Sequence, residues 1–233
     1  MNILFYKELL SEDFEVEPIA SVKVMLVDAS NISVAVLELI DAVQDVIWID
    51  KLDIVPRLSF EQTALRTVAK LVAKFGAIND ELTSDVGEYL VSCSASKGLA
   101  EAFGHEIVPI SELWKEKITG NHGFDFHSES LGNVISFGEA KYKSSANPYD
   151  EAAKQVISFL SLGKDKGDCL FLQHFVSTPA LEAFIYQGSR GIALAFSVSS
   201  ANPMAILDNA LDNVNIEALA SLCDELYIIG VVI

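Results

Sequence analysis

Along the chain, apolar and polar positions switch between a period of about two residues and one near 3.6, the marks of strands and helices. Ser21 to Val27 (SVKVMLV) alternates and predicts a strand. Val34 to Val43 is a short apolar helix, and Asp45 to Ile49 reads as a further strand before Pro56. Ser59 to Phe75 carries Leu65, Val68, Leu71, Val72 and Phe75 at helical spacing, with Ser59 as cap and Gly76 as stop. The next helix opens at Asn79 or Asp80 and runs to about Phe103. Leu82, Val86, Tyr89, Leu90 and Cys93 form its apolar face, and Glu88 lies beside that face. Ile107 to Ile110 is strand-like. Gly123 to Lys143 (GFDFHSESLGNVISFGEAKYK) reads as a hairpin with strands at Phe124–Phe126 and Val134–Tyr142 and a polar turn from Ser128 to Asn133.

Beyond the hairpin, Tyr149 to Leu162 predicts a helix. Cys169 to Phe175 (CLFLQHF) is a nearly continuous apolar run, as a central buried strand would be. A helix from Pro179 through Tyr186, a strand from Ile192 to Val198, helices at Ala205–Leu211 and Ile216–Cys223 and a last strand at Leu226–Val232 complete the pattern. Strands alternating with helices of these lengths predict an α/β fold, a mixed central sheet flanked by helices. The expected organisation is a small α+β N-terminal section over residues 1–56, packing on the core or meeting a partner, and a main domain over 57–233. There is no G-x-G-x-x-G, Walker or G-x-S-x-G motif to support a dinucleotide-binding, P-loop or serine-hydrolase reading.

With 233 residues, 51% hydrophobic and 21% charged, the chain suits a well-cored globular protein. No apolar run reaches membrane-spanning length, and Met1 to Glu8 lacks the basic start of a signal peptide, so the expected location is the cytoplasm, away from membranes. Cys93, Cys169 and Cys223 stand far apart without zinc-ligand spacing and read as buried free thiols. The net charge of −17 changes the picture more. A protein that grips DNA unaided shows a basic footprint, because phosphate contacts supply most non-specific affinity. Here residues 1–50 carry ten acids against Lys7 and Lys23, and residues 191–233 five acids and no Lys or Arg. The locally basic stretch is 141–166, with five lysines against three acids, and would form either a small phosphate-facing rim or a solvated helix and loop.

The hairpin holds the candidate chemistry. Side chains alternate faces along a strand, so Glu139 and Lys141 share one face, with Asp125 opposite them on the partner strand. Mg²⁺ is hard, prefers oxygen, and is usually held by one or two carboxylates, which Asp125 and Glu139 would supply; the Ala140 carbonyl would add a third oxygen if the strand edge is open there. Lys141 would hold the attacking water or stabilise charge developing on a phosphate. The bland alternative is a surface hairpin with an ordinary Glu–Lys pair. His127 has the strand parity of Asp125, within reach of a general-base role. Glu101 and His105 read as a solvated pair at a helix end.

Asp125, then Glu139-Ala140-Lys141 ending an apolar strand, then the helix carrying Gln155, resemble the PD-(D/E)xK nuclease core. Asp85-Val86-Gly87-Glu88-Tyr89-Leu90 is similar to that superfamily's first helix, whose Glu often faces the site; Gly123-Phe124 stands where the signature has a Pro before its Asp. More narrowly, G-F-D followed by the G-E-A-K strand resembles the HamA family, the nuclease subunits of the Hachiman anti-phage defence system, over roughly residues 80 to 200. The resemblance implies a restriction-endonuclease-like core and a Mg²⁺-dependent DNA endonuclease, with Mn²⁺ as a substitute. Asp125, Glu139 and Ala140 would hold the metal, Lys141 and Glu88 would join the catalytic set, and Gln155 would support them. It also implies a superfamily 2-type helicase partner, HamB-like, that restrains the nuclease and delivers it to DNA. The alternatives are a non-catalytic interaction module that keeps the nuclease fold, and a phosphohydrolase acting on small nucleotides.

Overall fold

The computed structural model describes residues 1–10, 19–78, 82–114 and 123–233. Seven strands, β1 (Asn2–Glu8), β2 (Ser21–Asp28), β3 (Glu106–Ile107), β4 (Phe126–Glu129), β5 (Ile135–Lys141), β6 (Gly191–Val198) and β7 (Glu225–Val232), form one sheet in the order β1-β2-β7-β6-β5-β4-β3. Its centre, β2, β7, β6 and β5, is parallel; β1 is antiparallel to β2 at one edge, and β4 and β3 continue antiparallel from β5 at the other. A parallel centre must be covered on both faces, so its strands read as apolar runs. All eight residues of β6, GIALAFSV, are buried.

Eight α-helices are formed by the described residues: α1 (Ile32–Gln44), α2 (Ile54–Gly76), α3 (Ser84–Phe103), α4 (Tyr149–Ser161), α5 (Lys164–Leu172), α6 (Thr178–Glu182), α7 (Pro203–Leu211) and α8 (Val214–Ala220). On one face of the sheet Leu26, Phe137, Leu194, Phe196 and Ile228 meet Val156 and Phe159 of α4, Leu207 of α7 and Leu219 of α8. On the other, Met25, Ala140, Ala193, Ala195 and Ile229 meet Leu90, Val91, Ala95 and Leu99 of α3. The alanines on that face let α3 lie close. Gly87 and Gly98 take up the closest approach, where a Cβ would run into the Tyr142 ring and the Met25 side chain respectively. No helix among the described residues is long and apolar enough to cross a membrane.

The N-terminal section contributes β1, β2 and α1, and both strands belong to the single sheet. Five local expectations change. The first strand of the hairpin, expected over Phe124–Phe126 with a turn from Ser128, is Phe126–Glu129. Residues Ile47–Lys51 form a 3₁₀ turn where a strand was expected, and α2 starts at Ile54, five residues before Ser59. The strand expected over 107–110 shrinks to Glu106–Ile107. The run Cys169 to Phe175 is not a strand: its first half ends α5, and a short apolar run cannot be told from a buried helix by periodicity alone. The residues α5 buries are Asp165, Asp168 and Leu172, at helical spacing, while Leu170 is exposed. Two acids on a buried stripe are unreadable from the local pattern, because their partners are distant in sequence: Arg190 Nη1 lies 2.8 Å from Asp165 and His127 Nε2 3.2 Å from Asp168.

His105 is not solvated at a helix end. It is buried behind the left-handed Gly104 (φ 71°) that closes α3, with Nδ1 2.8 Å from Ser128 Oγ and Nε2 2.8 Å from the Tyr227 hydroxyl. Burial, with a smaller push from Lys23, depresses its pKa to about 4. A histidine held neutral in the fold contributes stability that is full above its unfolded pKa, near 6.5, and is lost as pH falls toward 4. Urea unfolding of the protein and of His105→Gln should therefore show a difference that shrinks by about 3 kcal/mol between pH 7 and pH 4. A pH-independent difference would mean that the fold leaves the His105 pKa unshifted, and one that grows toward pH 4 that His105 carries its proton in the fold.

Candidate active site

Pairing of β4 with β5 ends at Phe126 opposite Gly138, with the Asp125 amide still donating to the Gly138 carbonyl at 2.8 Å. There the chain bends away, so Asp125 sits in the bend just before β4. Its side chain takes the place of the missing strand: Oδ2 accepts the Ala140 amide at 2.9 Å. In a strand the N–H and C=O of one residue point to the same edge, so the Ala140 carbonyl faces this open edge beside Asp125. On the other edge β5 stays paired with β6 as far as Lys141.

Glu139 lies on the face of β5 that carries Phe137 and is completely buried (0% exposed). Neither carboxylate oxygen has a hydrogen-bond partner among the described residues. Lys141 Nζ stands 2.7 Å from Oε1, an ion pair too oblique for a well-formed hydrogen bond. The same ammonium lies 3.5 Å from Glu88 Oε1. Glu88 reaches the sheet because Gly87, beside it in α3, lets the helix press onto Tyr142, which points to the face opposite Lys141. Asp125, Glu139, Lys141 and Glu88 thus converge as the sequence predicts.

The electrostatics are lopsided, with three carboxylates around one ammonium. Burial pushes the Asp125 carboxyl up to about 6, against the pull of the Ala140 amide and Lys141, and Glu112 and Glu88 add to the rise. Burial first, then the charge of Asp125, hold Glu139 well above the usual carboxylate range in spite of Lys141. Burial alone would depress the Lys141 ammonium, but Glu139 foremost, with Asp125 and Glu88, raises it above its ordinary value, so it keeps its proton. Buried carboxylates without hydrogen bonds are costly, and a site that keeps them has a deficit of positive charge.

The donors fit a hard divalent cation: two carboxylates, one with both oxygens unbonded, and a backbone carbonyl on an open edge. Among the described residues no set of three or more His, Cys, Asp or Glu side chains is placed to hold a metal. A cation here would rest on Asp125, Glu139 and Ala140, with water completing its shell.

Other expected residues stand apart. Gln155 is half-buried on α4, which covers the face Glu139 is on, and makes no hydrogen bond to the cluster among the described residues. His127 does not reach the site. It is wholly buried, with Nδ1 3.4 Å from Ser111 Oγ and Nε2 3.2 Å from Asp168, and it braces the core under Asp125. His122, in the loop that leads into the Asp125 strand, lies outside the described residues. The lysines of 141–166 are largely spoken for: Lys141 by Glu139 and Glu88, Lys143 by Glu151, and Lys154 by Asp150 at 2.6 Å.

Glu112 is a neighbour the sequence pattern does not reveal. The 3₁₀ turn Ser111–Leu113 is tethered by Ser111 Oγ, which donates to the Phe124 carbonyl at 3.2 Å, and this brings the Glu112 charge to bear on Asp125. The chain matches no protein-family model, no curated protein and no solved structure.

Proposed function

We propose that the protein is a Mg²⁺-dependent DNA endonuclease with a restriction-endonuclease-like core. One observation carries the reading: the Glu139 carboxylate is fully buried with neither oxygen in a well-formed hydrogen bond, next to Asp125 and paired, among the described residues, only with the Lys141 ammonium 2.7 Å from Oε1. A structural ion pair would satisfy its oxygens, whereas a metal ligand has to leave them free. The resemblance to PD-(D/E)xK nucleases, and more narrowly to the HamA family, supports the same assignment.

In this reading Asp125, Glu139 and the Ala140 carbonyl hold Mg²⁺, or Mn²⁺ in its place, which when bound supplies a Lewis acid and lowers the pKa of a coordinated water. Asp125 does two things: Oδ2 fixes the end of β5 through the Ala140 amide, and its other oxygen is left for the cation. Lys141 remains an ammonium, so it is a donor and not a base. With Glu139 and Glu88 engaging it on two sides, the remaining N–H is free to hold the attacking water or the phosphate oxygen on which charge develops. Glu88 keeps Lys141 turned to the site.

A net charge of −17, with Lys143 and Lys154 after the site already paired, suits a subunit that a helicase partner restrains and carries to DNA. The test is plasmid cleavage in Mg²⁺ by the chain and by Glu139→Ala/Lys141→Ala, each with and without that helicase. Cutting by the native protein in either setting, and none by the variant, is the expected result. If neither cuts while the variant still functions in cells, the protein is an interaction module that keeps a nuclease-like fold.

A further inference from the structure

Within this acidic protein, residues 51–78 hold Lys51, Arg57, Arg66, Lys70 and Lys74 against Asp53 and Glu61, a net charge of +3. After Glu61 no acid stands in the rest of α2. Arg66, Lys70 and Lys74 follow at intervals of four and therefore share one face of the helix. All three are exposed, and Arg66 and Lys70 have no ion-pair partner among the described residues. The Arg66 Nε–H is spent on the Gln62 carbonyl of its own helix, which orients the guanidinium and leaves its charge uncompensated.

The stripe points at the site. Lys74 Nζ pairs with Asp85 at 2.9 Å, and Asp85 lies one turn before Glu88 on α3. Glu88 pairs with Lys141, and Lys141 with Glu139. A chain of charged residues, Lys74, Asp85, Glu88, Lys141 and Glu139, thus runs from the end of α2 into the carboxylate cluster. From Arg66 to Lys74 the helix rises about 12 Å, roughly the span of three or four phosphates along one strand of a duplex.

We infer that the Arg66–Lys70–Lys74 face of α2 is the surface that holds the phosphodiester backbone of the substrate beside the site, a deepening that rests on the nuclease reading. The acidic segment 191–233 supplies β6, β7, α7 and α8, while 1–50 supplies β1, β2 and α1, which packs on α2. Of the acids in that second segment, Glu38 is paired with the N-terminal ammonium and Lys97, and Asp50 with Arg57. At about 0.1 M salt, charges more than about 10 Å from the stripe are largely screened from a strand lying on it. An anionic membrane is a poorer occupant: the exposed apolar residues Ile54, Val55 and Leu58 lie in the first turns of α2, two turns or more before Arg66, and do not interleave with Arg66, Lys70 and Lys74.

The test is fluorescence anisotropy of the full chain, without Mg²⁺, on a labelled DNA duplex of about 20 base pairs across about 50 to 200 mM salt. Arg66→Ala/Lys70→Ala changes only exposed positions to a strong helix former, so folding is not at stake. Its affinity is expected to fall on the order of 100-fold at the lowest salt, and the slope of log K against log salt by about 2. Arg66→Lys/Lys70→Arg should bind as the native protein does. No binding by the native protein, an unchanged slope in the Ala variant, or a loss seen on anionic phosphatidylserine vesicles but not on DNA would each overturn the inference. Calorimetric Mg²⁺ titration of native protein and Glu139→Gln runs alongside. Mg²⁺ bound through Glu139, with DNA indifferent to Arg66 and Lys70, condemns the stripe and leaves the nuclease reading standing.

Discussion

Glu139→Gln is expected to reduce Mg²⁺-dependent cleavage on the order of 10³-fold or more and, in metal-free buffer near neutral pH, to make the protein more stable. Two effects compete. Removing one member of a buried ion pair normally destabilises, because the other charge is stranded. Here the other charge is not stranded: Lys141 is partly exposed and keeps Glu88 at 3.5 Å, with Asp125 also acting on it. The penalty on Glu139 is relieved, among the described residues, only by the Lys141 ammonium 2.7 Å from Oε1, since the carboxylate is wholly buried, has no well-formed hydrogen bond and stands next to another carboxylate. A carboxyl raised by the fold is most favourable when protonated, so the native protein loses stability as pH rises above the group's unfolded pKa. Gln keeps the shape without the charge, and the gain should be about 1 to 3 kcal/mol, or about 2 to 4 °C in melting temperature for each kcal/mol. Scanning calorimetry with chelator, beside the plasmid assay, reads both. A variant that cuts DNA sinks the metal-ligand role. One that melts lower shows that the Glu139 carboxylate is satisfied without a metal.

The part of the site carried by β5 was legible because a strand's period of two puts Glu139 and Lys141 on one face and Ala140 on the other. The role of Asp125 was only half legible. Parity placed it opposite Glu139, but its capping of the Ala140 amide follows from β4 stopping one residue short, which no local pattern encodes. Glu112 arrives through a tether from Ser111 to Phe124, thirteen residues on in the chain, and His127 is drawn away by Ser111 and Asp168. Tertiary partners decided both. The central strands β2, β6 and β7 were plain as apolar runs, while β1 was hidden because an edge strand exposes most of its residues. The misreading of α5 has the same root as that of His127: a polar residue reads as surface until its buried partner is known.

Lys141→Ala should have the opposite signature to Glu139→Gln. It removes the only cation that an ion pair brings to Glu139 among the described residues and leaves a buried carboxylate beside Asp125 uncompensated. The expected loss in chelator is about 3 to 5 kcal/mol in urea unfolding. Adding Glu139→Gln to Lys141→Ala removes the charge that Lys141 was neutralising, so the double variant should recover most of the loss. The two changes must then be strongly non-additive, with a coupling of about 2 kcal/mol or more. Mg²⁺ should also restore part of the single variant's stability by mass action, because a cation on Glu139 does what the ammonium did. It should not restore cleavage, since no donor then holds the attacking water. Additive single and double variants would mean that Lys141 and Glu139 act independently. Recovery of cleavage by Mg²⁺ alone would move Lys141 out of the catalytic set and leave it a counter-charge for Glu139.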